Sequence, residues 1–147
     1  MIELIVLKRL LMALLLGAII GYERQRAHKA AGLRTHMLVC VSTALVTIVA
    51  MYAFEEMGGA NPESSARIIS GILTGIGFIG GGAILRNESR VSGLTTAASL
   101  LTVATIGIAV GVGFTYAAIA VTLVSYIILT LFWRIESKIE GYESRDE

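Results

Sequence analysis

The sequence predicts an all-α membrane protein of about five transmembrane helices, arranged as two parallel helical hairpin repeats followed by a fifth helix. Three observations predict it. Of the 147 residues, 55% are hydrophobic and 16% charged, where a soluble domain carries about 25% charged residues. The charges fall in short islands between apolar runs of roughly 18–20 residues, the length that crosses a bilayer core. And two stretches read alike: G-A-I-I-G-Y-E (17–23) with G-L-R-T (32–35), then G-A-I-L-R-N-E (82–88) with G-L-T-T (93–96). Each copy lies between two apolar runs, so a helix end, a polar turn and a helix start are expected twice.

Span 1, Leu4–Gly21, is longer than the apolar core of a signal peptide. No small-residue cleavage site follows it, so it is expected to remain as a membrane helix. Lys8 and Arg9 lie early in it. A cation at the bilayer centre costs about 2.5–3.5 kcal/mol on insertion scales. Near the span's outer end both can snorkel to the headgroups, or Arg9 can face the bundle and ion-pair there. Span 2, Met37–Phe54, holds the single cysteine, Cys40. It has no intrachain disulfide partner and no metal-ligand spacing, and is expected as a small packing residue.

Span 3, Ile68–Leu85, contains G-I-L-T-G-I-G-F-I-G-G-G-A-I-L (71–85). Gly71 and Gly75 share a helix face and admit another backbone; Gly77, Gly80, Gly81 and Gly82 extend this toward the following loop. Three consecutive glycines cost a helix about 1 kcal/mol each relative to Ala. Two readings stand: span 3 is the central helix, gripped on several faces, or it is broken near Gly80–Gly82 and shows carbonyls to a ligand or pathway. Span 4, Leu94–Val110, and span 5, Tyr116–Trp133, are joined by Gly111-Val112-Gly113. Span 5 has no counterpart in the repeat and is expected on the outside of the bundle or in an oligomer interface. The transmembrane domain thus covers 1–133, and 134–147 reads as a short charged cytoplasmic tail.

Lys and Arg in the connections set the orientation. Nine lie on one side: Arg24, Arg26, Lys29 and Arg34 between spans 1 and 2, Arg86 and Arg90 between spans 3 and 4, and Arg134, Lys138 and Arg145 in the tail. The other side has three, Lys8, Arg9 and Arg67. The N-terminus is therefore expected outside and the C-terminus in the cytoplasm, with both repeat copies facing the cytoplasm as parallel repeats about an axis along the membrane normal. The net charge of +1 gives a nucleic-acid partner no support.

The polar residues concentrate at that cytoplasmic side. Thr35 is a candidate for the start of span 2, and Ser92 or Thr95 for the cap of span 4. Helix N-termini carry partial positive charge and free N–H groups. With Arg24, Arg34, Arg86 and Arg90 close by in sequence, they favour an anionic group: a lipid phosphate, a phosphorylated metabolite or an acidic partner segment. Glu23 and Glu88 are read first as partners of nearby arginines that fix the loops. The second reading is a paired-carboxylate site for a divalent cation such as Mg²⁺, which needs one or two carboxylates with retained water. His28 and His36 are expected as solvated loop residues. No Asp or Glu lies within spans 2 to 5, which argues against a carboxylate relay. The membrane-embedded polar residues are hydroxyls, Thr96 among them, expected to bond within their own helix or to a neighbour. No nucleophile–base pair, phosphate loop or metal-hydrolase motif is present, which points away from an enzyme.

The segments G-Y-E-R-Q (21–25), A-G-L-R-T-H (31–36), G-I-G-F-I-G-G-G-A-I-L (75–85) and S-G-L-T-T-A-A-S-L (92–100), in this order, resemble the MgtC/SapB family of bacterial membrane proteins. The resemblance implies a multi-pass protein of the bacterial cytoplasmic (inner) membrane, in a virulence-related family associated with growth in low magnesium. It also implies a membrane partner such as the F-type ATP synthase. Longer members carry a soluble ACT-like domain after the last span; here about fourteen residues follow Trp133, so the chain resembles the short form. The expected function is non-enzymatic service in magnesium or ionic homeostasis, by binding a partner or an anionic ligand at a cytoplasmic vestibule. The expected residues are Glu23, Arg24, Arg34, Thr35, Arg86, Glu88, Arg90, Thr95 and Thr96. The alternative is an ion or small-solute transporter with the glycine-rich third helix lining its path. A homo-oligomer, with a dimer favoured, is expected because five spans make a thin bundle with small residues on several faces.

Overall fold

The computed structural model describes residues 2–56, 62–86 and 91–143. The chain forms five helices: α1 (Ile2–Arg26), α2 (Leu33–Glu56), α3 (Pro62–Gly82), α4 (Leu94–Val112) and α5 (Thr115–Glu143). A two-stranded antiparallel ribbon, β1 (Leu85–Arg86) and β2 (Val91–Ser92), links α3 to α4. Helices α1 to α4 are each long and apolar enough to cross a membrane, and Thr115–Leu131 of α5 is apolar too. Large apolar and aromatic side chains such as Phe78 and Tyr116, 85% and 91% accessible, stand on the outside of the bundle.

The ends follow from local chemistry. Glu3 lies in the first turn of α1 and Arg24 and Arg26 in its last, each favourable to the helix dipole. His28 takes a left-handed φ of 52° as the chain leaves α1. Pro62 opens α3, where its fixed φ and missing N–H do no harm. At the end of α4, Gly113 is left-handed (φ 104°) and its N–H reaches Ala109 O and Val110 O. The Phe114 N–H also donates to Ala109 O, at 2.8 Å. This is a Schellman closure.

The two hairpins, α1–α2 and α3–α4, are both present, but the bundle is not organised around α3. Helix α4 is the central element: it packs against α1, α2, α3 and α5, and Leu100, Val103, Ala104, Ile106 and Val110 on it are essentially inaccessible. Its partners in the core include Ala13 and Ile20 of α1, Cys40 and Ala44 of α2, and Ala118 of α5. The expectation that span 3 is gripped on several faces is corrected for a plain physical reason. A side chain placed at Gly71, Gly75, Gly77, Gly81 or Gly82 would meet nothing within 4 Å, and only Gly80 lies against a neighbour, Ala97. Helix α3 ends at Gly82, short of the expected Leu85, and the chain turns there through Ala83 and Ile84 into the ribbon.

The close helix approaches fall at other glycines. On α1, a Cβ at Gly17 would stand 2.8 Å from Cys40 Cβ and 2.9 Å from His36 O, and one at Gly21 2.8 Å from Leu33 Cα. On α4, a Cβ at Gly111 would meet Thr47 Cβ at 2.7 Å and Ala44 O at 2.8 Å, and one at Gly107 would collide with Thr43 Oγ1 and the Cys40 carbonyl. Each pair is spaced i, i+4, so two small-residue seams weld α2 between α1 and α4.

Arg9 faces the bundle, but its partner is no carboxylate: Nη1 donates to the Gly111 carbonyl at 2.7 Å. A cation is favourable at the negative end of a helix, and the bond serves one of the carbonyls that α4 leaves without an intrahelical donor.

Candidate functional site

At the basic end of the bundle, the two copies of the repeated motif take different shapes. In the first, Gly17 is interior to α1, which continues through Glu23 and Arg24 to Arg26. In the second, Gly82 is the last residue of α3, and the chain turns into the ribbon. The shared helix end is therefore corrected, while the shared helix start stands: Gly32-Leu33 opens α2 and Gly93-Leu94 opens α4. Gly17 and Gly21 lie flat against α2, which keeps that stretch helical; Gly81 and Gly82 have no such support.

Glu23 and Arg24 are both buried, 7% and 1% accessible, and Arg24 Nε donates to Glu23 Oε2. Neighbours in sequence do not share a helix face, so the two side chains curl toward each other inside the packed end of α1. The guanidinium thereby takes Glu23 Oε2, within the buried end of α1. Among the described residues, no three His, Cys, Asp or Glu side chains converge where a metal could sit. Glu88 and Arg90 lie outside the described residues.

His36 is not a solvated loop residue. It lies in the first turns of α2 and is fully buried. Its Nδ1 donates to the Gly32 carbonyl at 2.8 Å, and Nε2 lies 3.0 Å from Ser99 Oγ on α4. The Ser99 hydroxyl is also 2.8 Å from the Thr96 carbonyl. His28, by contrast, is exposed.

The remaining candidates separate. Arg34 and Thr35 line an open cavity of about 580 Å³ with Gln25, Gly32 and Leu33. Within it, the Leu33 N–H donates to Gln25 Oε1 at 3.3 Å, so the start of α2 is capped by a side chain from α1 rather than by Thr35. Thr95 lines another cavity, about 180 Å³, between α1, α4 and α5 with Ser99, Thr102 and Ser125. Thr96 is buried at the interface. Arg86 is exposed on the ribbon. The N-cap of α4 is Gly93, left-handed at φ 90°, with no side-chain cap from Ser92 or Thr95. Sequence reasoning missed Gln25, His36 and Ser99. The signal for His36 was its place four residues after Gly32, the glycine that opens α2, and on the same helix face.

A third cavity, about 290 Å³ and almost wholly apolar, opens at the opposite end between α2, α3 and the α4–α5 turn, lined by Met51, Ile68, Ile69 and Phe114 among others. It reflects how little α3 touches α2.

Comparison with known proteins bears on this architecture. The model of the MgtC family matches residues 10–138. The protein MgtC of Salmonella typhimurium is 43% identical over 115 residues, 78% of this chain and 47% of that one. SrpB of Synechococcus elongatus is 36% identical over 136 residues, 87% of this chain and 75% of its own. YhiD of Escherichia coli K12, whose name gives it a provisional role as a magnesium transporter, is 37% identical over 132 residues, 86% of this chain and 60% of its own. The chain thus spans from about half to three quarters of the length of these relatives. No solved structure matches it. A membrane bundle whose repeated motifs open two of its helices, matched by the family model over nearly all of its described length, belongs to the MgtC family.

Proposed function

We propose that this chain is a non-enzymatic, multi-pass protein of the bacterial cytoplasmic membrane that serves magnesium or ionic homeostasis. In this reading it binds an anionic group, or the acidic part of a membrane partner, in the pocket where α1 ends and α2 begins. One observation carries it. The first turn of α2 holds no acidic residue, and its Leu33 N–H is taken by Gln25. The N–H groups of Arg34 and Thr35, which have no intrahelical acceptor, are left for a ligand, and the helix dipole and the Arg34 guanidinium add positive charge. The distribution of Lys and Arg argues that this end is cytoplasmic.

The magnesium part rests on the family and on the name of the Escherichia coli relative. A membrane complex such as the F-type ATP synthase is the partner the family resemblance suggests. A homodimer through the open glycine face of α3 goes with it, since within one chain those glycines serve no contact. The test is complementation in a strain whose growth at low magnesium depends on this chain. Arg34→Ala should lose it at wild-type expression; if Arg34→Ala and Arg86→Ala both complement fully, the pocket is not the working site.

The name of YhiD also favours a second reading, transport of an ion or small solute along α3. Reconstitution in liposomes separates the two: saturable flux, lost on Gly81→Leu, supports transport, and absence of flux in protein that complements in cells supports binding.

A further inference from the structure

We propose that His36 is the positioning residue of the α2 start: it holds the Gly32–Leu33 peptide plane from below while Gln25 holds it from above. The inference rests on the pocket reading for its purpose, but its geometry stands by itself. The Gly32 carbonyl can only accept, so Nδ1 carries the proton it donates there at 2.8 Å. The same carbonyl receives the His36 backbone N–H at 3.2 Å. On the other side of that peptide, the Leu33 N–H is held by Gln25 Oε1 at 3.3 Å. A single peptide plane is therefore fixed on both edges, by side chains from α1 and from the interior of α2.

The imidazole is itself anchored. Nε2 lies 3.0 Å from Ser99 Oγ, whose single proton it shares with the Thr96 carbonyl 2.8 Å away; His36 and Ser99 are both buried, so the ring has one orientation in which both nitrogens have a partner within reach. The anchoring chain runs from α4 through Ser99 and His36 to Gly32, and from α1 through Gln25 to Leu33. The pocket beside it needs the next two N–H groups to keep their direction, and fixing the first peptide of the helix does that in advance of binding. Such preorganisation raises affinity without a direct contact to ligand.

The two ring nitrogens can be replaced separately. In His36→Asn the side-chain amide can stand in for Nδ1 and keep the Gly32 bond; in His36→Gln it can stand in for Nε2 and keep Ser99. Ser99→Ala removes the anchor without adding volume. Each is to be compared with wild type in nanodiscs, by amide exchange at Leu33–His36 and by titration with inorganic phosphate. A second series replaces neutral lipid with phosphatidylglycerol, to separate free phosphate from a lipid headgroup. His36→Gln should speed exchange at Leu33 and weaken phosphate about five- to tenfold, the worth of one hydrogen bond. His36→Asn should stay near wild type in both, and Ser99→Ala should fall between. If His36→Gln exchanges like wild type while His36→Leu does also, the clamp does not exist. Phosphate and phosphatidylglycerol binding that is absent in wild type overturns the pocket reading instead, and the exchange arm still decides the clamp.

Discussion

Replacing Gly111 by alanine tests which glycines hold this bundle together. The added Cβ would stand 2.7 Å from Thr47 Cβ and 2.8 Å from the Ala44 carbonyl oxygen, where ordinary contact begins at 3.4 Å. The second obstacle is backbone and cannot rotate away, so α2 and α4 have to separate. Overpacking of this kind costs about 1–3 kcal/mol, and a fixed carbonyl argues for the upper end. Alanine returns about 1 kcal/mol of helix propensity, leaving a net loss of about 1–2 kcal/mol. Gly75→Ala is the matched control: its Cβ enters open space, so the same propensity gain of about 1 kcal/mol goes unopposed. The assay is reversible SDS titration of detergent-solubilised protein, read by helix content, at a dilution where crosslinking reports monomer. A Gly111→Ala variant within about 0.5 kcal/mol of wild type, the range of neutral surface changes, would refute the seam. So would a Gly75→Ala monomer that is destabilised as much as Gly111→Ala.

Three further outcomes follow from the same structure. Glu23→Gln should destabilise by about 3–5 kcal/mol in that titration, because it strands the fully buried Arg24 cation, and replacing both by apolar residues should recover most of the loss. Arg9→Ala should cost about 1.5–3 kcal/mol, the worth of a charge-assisted hydrogen bond to the Gly111 carbonyl. Gly113→Ala should cost about 1–2 kcal/mol from its left-handed backbone. Its Cβ would also sit 2.9 Å from Arg9 Nη2, so a double-mutant cycle with Arg9→Ala should be non-additive.

The helices were legible because bilayer-length apolar runs and charge islands leave little room for another assignment. The glycines were not, because spacing alone cannot say which helix a small residue faces. Gly17 and Gly21, and Gly107 and Gly111, have the same i, i+4 spacing as Gly71 and Gly75, but only the first two pairs meet another backbone in the chain. Counting glycines drew attention to α3, where all but Gly80 face open space. His36 was misread for a related reason: a buried residue in the first turn of a helix looks, in sequence, like the end of a polar loop. Only packing reveals that α1 passes so close that a Cβ at Gly21 would stand 2.9 Å from the His36 Cβ, and that Ser99 waits across the interface.

The likeness of the two motifs invites the idea of two equal ligand sites, and the geometry speaks against equality. Both helices begin at Gly-Leu, but what stands over the glycine differs. At Gly93 a Cβ would strike the Ala83 carbonyl and approach Ile84 Cα to 3.2 Å, so the backbone leaving α3 roofs the start of α4. At Gly32 the obstacle is the side chain of Gln25, a movable arm that already bonds the first N–H. A side-chain arm can swing aside, whereas a peptide carbonyl moves only with its backbone. On the proposed reading, an anion at the first copy has to compete with Gln25 for the α2 N–H groups. The duplication accounts for where the helices start, while a glutamine side chain in one copy and a peptide carbonyl in the other stand over those starts.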